Sequence, residues 1–302
     1  MSSLLTHALV TAVKPQGFPE RTFYAEAFTA VASAYHNLPQ ATIQEFIDSS
    51  QKRFETSENA RNHLEFLWYA EDLFSEQSGN NTPVFSLPKT FKQTLRVKPT
   101  NWLLLRARFY IQHGSILQQF VWKHVALSLL RRNWNGEHIL DRGIGACIRG
   151  EQKPEYASDQ YTAFSLMILT DLYKLTGNKR FKEYFDKGLN KLRDRWRQQS
   201  IELTQGRGAY QLFGYASLIY ILSWAQSQNP QSTTLTADLD QAIKHLSSFQ
   251  HDDGLFPLVL KEADDRSDWE TYNNLYDYLG FTAAILSRAA FIFPEQYNER
   301  ST

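Results

Sequence analysis

Residues 161–175 read YTAFSLMILTDLYKL, and residues 180–197 read RFKEYFDKGLNKLRDRWR. The first stretch is apolar on nearly every side, the pattern of a helix surrounded by protein. In the second, Phe181, Tyr184, Phe185, Leu189, Leu192 and Trp196 recur every three or four residues among Lys, Arg, Asp, Glu and Asn, which leaves one buried face and one wet face. A wholly buried helix followed at once by a one-faced helix suggests an inner layer wrapped by an outer one.

Working outward, the same pair recurs. Tyr210 to Trp224 (YQLFGYASLIYILSW) is buried on all sides, and Leu235, Leu239, Ile243, Leu246 and Phe249 form the one-faced stripe that follows. The full set of inner helices is expected near 22–38, 62–76, 101–114, 158–176, 209–226 and 272–292. Outer helices are expected near 41–55, 115–132, 180–197 and 235–250. Residues 4–13 would be a further outer helix, and 84–97 the weakest one, punctuated by Pro83, Pro88 and Pro99. Six inner helices alternating with six outer ones describe an all-α (α/α)6 toroid, closed or irregular, built as a single domain over residues 1–302. An α-solenoid is the competing architecture, and it would have stricter periods and polar capping repeats.

Composition narrows the function classes. The chain has 302 residues, 32 Lys+Arg and 32 Asp+Glu, so no global field draws it to nucleic acid or an anionic surface, although a local patch could. The single cysteine, Cys147, excludes an internal disulfide and favours a reducing compartment. The N-terminus lacks a basic residue ahead of its apolar stretch, which Thr6 and His7 interrupt, and no apolar run is long enough to span a bilayer. The expectation is a cytoplasmic protein with no membrane span and no nucleic-acid partner. Aromatic residues make up 14% of the chain, which directs attention to where the rings gather.

Two motifs resemble known toroid enzymes. Leu246-Ser-Ser-Phe-Gln-His-Asp-Asp-Gly-Leu-Phe256 resembles the helix-ending turn of that superfamily; terpenoid cyclases carry a related Gln, Asp-Gly, Trp repeat, and six-hairpin glycosidases and polysaccharide lyases use similar turns. The glycine would end the helix in a left-handed conformation and the aspartate would cap the turn. Leu172-Tyr-Lys-Leu-Thr-Gly-Asn-Lys-Arg-Phe181 resembles the inner-to-outer turn of six-hairpin carbohydrate enzymes. The resemblance implies a carbohydrate-active enzyme with a central cleft and does not select the reaction.

In such a toroid the starts of the inner helices converge on one mouth. At the fourth these are Glu155, Tyr156, Asp159, Gln160 and Tyr161; at the fifth, Arg207 and Tyr210. At the sixth the segment DWETYNNLYDY places Asp268, Trp269, Glu270, Tyr272, Asn273, Tyr276, Asp277 and Tyr278 together. His63, Trp68 and Trp102 lie near the starts of earlier helices. Rings offer sugar faces or hydrocarbon a large apolar area, and amides and carboxylates between them favour sugar.

Asn273, Tyr276 and Asp277 share one helix face. Hydrolysis needs two carboxyl groups across a bond, for which Asp159 with Asp277, or Glu270 with Asp253, are the pairs. Elimination from a uronic acid needs Asn or Arg on its carboxylate and Tyr or His as base, roles open to Asn273, Arg207, Tyr276 and His251. Epimerisation would draw on His63, His138 or His251. Asp159, Asn273, Tyr276 and Asp277 are therefore the catalytic candidates. Tyr156, Tyr161, Arg207, Tyr210, His251, Asp253, Trp269, Glu270, Tyr272 and Tyr278 are the substrate-binding candidates.

Asp264-Asp-Arg-Ser-Asp268 spells DDxxD, the metal motif of class I prenyl-chain enzymes, and Glu262-Ala-Asp-Asp265 approaches the acid motif of class II cyclases with Glu replacing its first Asp. The DDxxD motif belongs in mid-chain with a second metal motif downstream, and a solvated acidic turn accounts for it here. No HExxH or paired-cysteine spacing occurs, so neither a resident metal nor a cofactor is expected. Arg142-Gly-Ile-Gly-Ala-Cys-Ile-Arg149 lacks the lysine and strand context of a phosphate loop. A non-catalytic toroid binding glycan or protein, with the same rings but no poised acid or base, is the alternative from another class, and a terpenoid cyclase-like enzyme using 264–268 is the other.

Overall fold

In a computed structural model of the chain, the described residues are 23–56, 63–79, 83–88, 98–199, 202–206, 210–257, 260 and 279–294. The inner helices are α1 (Phe23–Tyr35), α3 (Leu64–Ser78), α4 (Thr100–His113), α7 (Asp159–Thr176), α9 (Leu212–Gln228) and α11 (Leu279–Ile292). Each packs on the next in that order, and α11 returns to pack on α1, so the ring closes. Outer helices α2 (Gln40–Thr56), α5 (Ile116–Asn133), α8 (Lys179–Gln199) and α10 (Thr233–Ser247) lie against α1, α4, α7 and α9 in turn. A short helix α6 (Ile144–Ile148) sits in the connection between α5 and α7. Described residues therefore form an (α/α)6 toroid, as the alternation of buried and one-faced helices implies.

Sequence pattern accounts for the layers. Every residue of α9 from Leu212 to Gln226 is buried, so that helix has no wet face to offer. On α8, Phe181, Phe185, Leu189, Leu192 and Trp196 are buried, and Phe185 meets Trp224 of α9 edge-on with ring centroids 4.5 Å apart. The turns form as their residues suggest. Gly177 takes φ 62° at the end of α7, a conformation that costs glycine nothing. Gly254 takes φ 85°, Asp253 accepts a 2.9 Å hydrogen bond from the Leu255 N–H, and the Gln250 amide donates to the Gly254 carbonyl at 2.8 Å.

One expected helix is corrected. Residues 84–88 are not helical; the Glu71 carboxylate accepts from the backbone N–H groups of Val84 and Phe85, and flanking prolines remove helix donors. The remainder of 84–97, the expected helix 4–13 and the segment 272–278 lie outside the described residues.

The C-terminal ends of the inner helices meet at one mouth, where a buried ion network closes the ring. Asp171 receives Arg108 Nε at 3.0 Å and Arg288 Nη2 at 2.8 Å, and Arg288 Nη2 also reaches Glu76 at 2.7 Å. Asp72 pairs with Arg108 and with His113. Above this network Phe28, Phe164 and Phe281 fill the bore, with centroids 5.1 and 5.5 Å apart. A cavity of about 250 Å³ lies at this mouth beside Asp72, Glu76, Arg108, Asp171, Lys174 and Arg288, and the sequence candidates near Asp159 lie at the other mouth, at the helix starts.

Candidate functional site at the N-terminal mouth

Rings line the N-terminal mouth in an unbroken series. The Trp102 ring, in the first turn of α4, lies 4.7 Å from His63 at the entry to α3 and 5.4 Å from Phe66. Phe66 stacks parallel to Phe164 of α7 at 6.1 Å, Phe164 meets Phe213 of α9 at 6.4 Å, and Tyr161 meets Phe213 at 5.3 Å. Phe164 and Phe213 are buried, whereas His63, Phe66, Trp102 and Tyr161 remain partly exposed. The arrangement is an apolar floor with four half-open rings.

Charge sits beside that floor. Lys98 Nζ lies 3.9 Å from the centre of the Trp102 ring and 3.5 Å from Glu65, which also takes Arg106 Nε at 3.1 Å. Burial, partly offset by Glu65, lowers the Lys98 ammonium to about 8. Burial and the neighbouring Lys98 lower His63 to about 4, so its imidazole is neutral at ordinary pH. The six helix starts each add roughly half a positive charge at this end, which favours an anionic group here. Gln211, at the start of α9, is fully buried with neither amide atom hydrogen-bonded among the described residues.

The structure distributes the sequence candidates unevenly. Asp159 is 3% exposed. Its Oδ1 receives His138 at 3.1 Å and Arg195 Nη2 at 2.7 Å, and its Oδ2 receives the Gln205 backbone N–H at 3.2 Å. Burial alone would raise this carboxyl, yet His138 and Arg195 hold it below the ordinary range. Asp159 is thus an ionised, buried carboxylate that pins the start of α7 to α8 and to residues 202–206.

Tyr161 stands on the floor. Tyr156 reaches toward Glu151 at 3.4 Å and Tyr210 toward Glu202 at 3.4 Å, so both hydroxyls are occupied in the loops flanking α7 and α9. His251 and Asp253 are exposed in the tight turn after α10, where Asp253 serves the turn itself. Arg207, Trp269, Glu270, Tyr272, Asn273, Tyr276, Asp277 and Tyr278 lie outside the described residues, as does the acidic stretch 264–268.

His63 and Trp102 prove to be part of the floor, and Trp68 faces away, its ring 4.6 Å from Phe109. Lys98 is the residue that sequence reasoning missed; its signal is Lys98-Pro-Thr-Asn-Trp102, a cation set directly before a proline-started helix. Arg142 binds the Asn133 side chain and two backbone carbonyls, so it staples its loop and holds no anion.

No family model matches the sequence, and no curated protein matches it. Solved structures do match in fold. An unsaturated glucuronyl hydrolase specific for heparin aligns with a TM-score of 0.63 and 13% identity, over 96% of each chain. A polysaccharide lyase aligns at 0.57 and 13%, over 96% of this chain and 98% of that one. A type II terpene cyclase from Scytonema aligns at 0.56 and 11%, over 95% and 97%. The chain therefore has the α/α-toroid fold that glycoside hydrolases, polysaccharide lyases and terpene cyclases share. At these identities the likeness is one of fold, and the chemistry rests on the residues at the mouth.

Proposed function

We propose that the protein is a carbohydrate-active enzyme that cleaves a glycosidic bond of an acidic oligosaccharide at the N-terminal mouth. The observation that carries this reading is the half-open ring series from His63 and Trp102 to Tyr161, bordered by a buried lysine and a buried amide. Rings stack on the apolar faces of a sugar, and Lys98 with the converging helix dipoles suits a uronate carboxylate. Pure hydrocarbon would leave those polar groups without a use, which argues against the terpenoid alternative.

Of the described carboxylates at the mouth, Glu65 and Asp159 are tied to arginines and Asp141 accepts from the Asn101 backbone N–H. The acid and base of this proposal are accordingly Asp277 and Tyr276, with Asn273 on the substrate carboxylate, all on the segment that leads into α11. A cytoplasmic enzyme of this kind would act on short oligosaccharides and not on secreted polymers.

Incubation with uronic-acid oligosaccharides separates the outcomes. Absorbance from an unsaturated product identifies elimination, and new reducing ends without it identify hydrolysis. Binding without either product would replace the enzyme by the non-catalytic glycan-binding alternative, and neither binding nor product would remove the carbohydrate reading altogether.

A further inference from the structure

The mouth opposite the proposed site carries an unusual surface. Helix α5 begins directly after the Gly114-Ser115 turn that ends α4, so its first turns lie at the C-terminal mouth. There Ile116 is 86% exposed, Leu117 71%, Phe120 58% and Val121 45%. Phe291, near the end of α11, is 52% exposed and Leu175, at the end of α7, 42%. Among the described residues these six are the large exposed hydrophobics of the molecule apart from Ile148, the last residue of α6. Six such side chains at one end of the ring exceed the scatter of single exposed residues on an ordinary surface.

The acids of the network at this mouth, Asp72, Glu76 and Asp171, are already paired with Arg108 and Arg288. Lys123 follows the apolar turns of α5, and Lys179 and Arg180 open α8 at the same mouth, just past the Gly177 turn. An apolar tip beside Lys123, Lys179 and Arg180 matches an interface of acyl chains beneath anionic headgroups. A nucleic acid would use the cations but leave the greasy tip in water. A second copy, related by a twofold axis, would set these cations against one another.

We propose that the C-terminal mouth is a docking face for an anionic lipid surface. The first two turns of α5 enter the interface, Leu175 and Phe291 follow, and Lys123, Lys179 and Arg180 meet the headgroups. Docked this way, the ring holds the N-terminal mouth away from the membrane and open to a substrate.

The test is co-sedimentation of the full chain with vesicles of phosphatidylcholine alone or mixed with phosphatidylglycerol. The chain is expected to pellet with the mixed vesicles only, and to be released as salt is raised. Leu117→Ser combined with Phe120→Ser should abolish pelleting, while Ile148→Ser, remote from this mouth, should leave it intact. These positions are exposed, so folding persists, and circular dichroism verifies it. Failure of the unaltered chain to pellet, or pelleting that survives the double substitution, overturns the proposal. So does a solution dimer that the same double substitution converts to monomer, because the face would then be a self-interface.

Discussion

Gly280 of α11 lies so close to Ala25 of α1 that a Cβ there would fall on the Ala25 carbonyl oxygen and come within 2.6 Å of Thr29 Oγ1. This contact is part of the packing of the last inner helix on the first, which closes the ring. Gly280→Ala must push two buried helices apart. The expected loss is about 1–3 kcal/mol, the range for overpacking a filled core. Urea denaturation of the variant measures it, and a midpoint equal to that of the parent would show that α1 and α11 are not held this tightly.

The opposite mouth makes a second, larger prediction. Asp171 is buried between Arg108 and Arg288, which outweigh the effect of burial and hold its carboxyl well below the usual carboxylate range. Asp171→Asn removes the shared charge and leaves Arg108 with Asp72 alone and Arg288 with Glu76 alone. Breaking such a pair costs about 3–5 kcal/mol. Thermal unfolding reads the result, and a loss below that of Gly280→Ala would mean that water reaches the network and screens it.

These two contacts also show where the sequence was readable. The apolar side chains around Tyr161–Leu175 and Tyr210–Trp224 announced inner helices, because a helix without a wet face has nowhere else to go. Gly177 and Gly254 announced turns for an equally local reason. The partners of a charge are not local. Asp159 at a helix start reads the same whether it faces a cleft or meets Arg195, 36 residues further on. Lys98 was overlooked because a cation before Pro99 looks solvated until Glu65 and Trp102 fold over it. Long-range pairing decides such residues, and periodicity carries no trace of it.

Glu26 on α1 sets a pH dependence. Burial, only partly offset by Ser49 and Arg53, raises its carboxyl from 4.5 to about 7. A folded-state value above the unfolded one means the charge is a burden in the native ring. That burden is absent below pH 4.5, grows as pH rises, and is complete above about 7, where it amounts to about 3 kcal/mol. Glu26→Gln should therefore stabilise the protein at pH 8 and change little at pH 4. Urea midpoints at the two pH values measure this, and equal effects at both would contradict it.

Asp159 and Asp277 are expected to part company. Asp159→Asn weakens the charged bonds from Arg195 and His138, so stability should fall by about 3 kcal/mol, with turnover falling as the start of α7 loosens. Asp277→Asn, in the proposed catalytic role, should abolish turnover of a uronic-acid oligosaccharide at unchanged stability. Paired unfolding and activity measurements distinguish them; full turnover in Asp277→Asn removes that residue from the site.

Lys98 gives the sharpest test of the mouth itself. With its ammonium lowered to about 8 by burial, the folded enzyme carries this charge below that pH and loses it above. If Lys98 holds the substrate carboxylate, kcat/KM for an acidic oligosaccharide must fall as pH rises through about 8, since this parameter follows the free enzyme. A neutral oligosaccharide should lack the limb. Lys98→Arg keeps its charge far beyond this range, so the limb should disappear whatever the residual rate. His63, neutral above about 4, adds no competing limb near neutrality. A limb at pH 8 that persists in Lys98→Arg would assign it to another group and leave Lys98 a purely structural partner of Glu65 and Trp102.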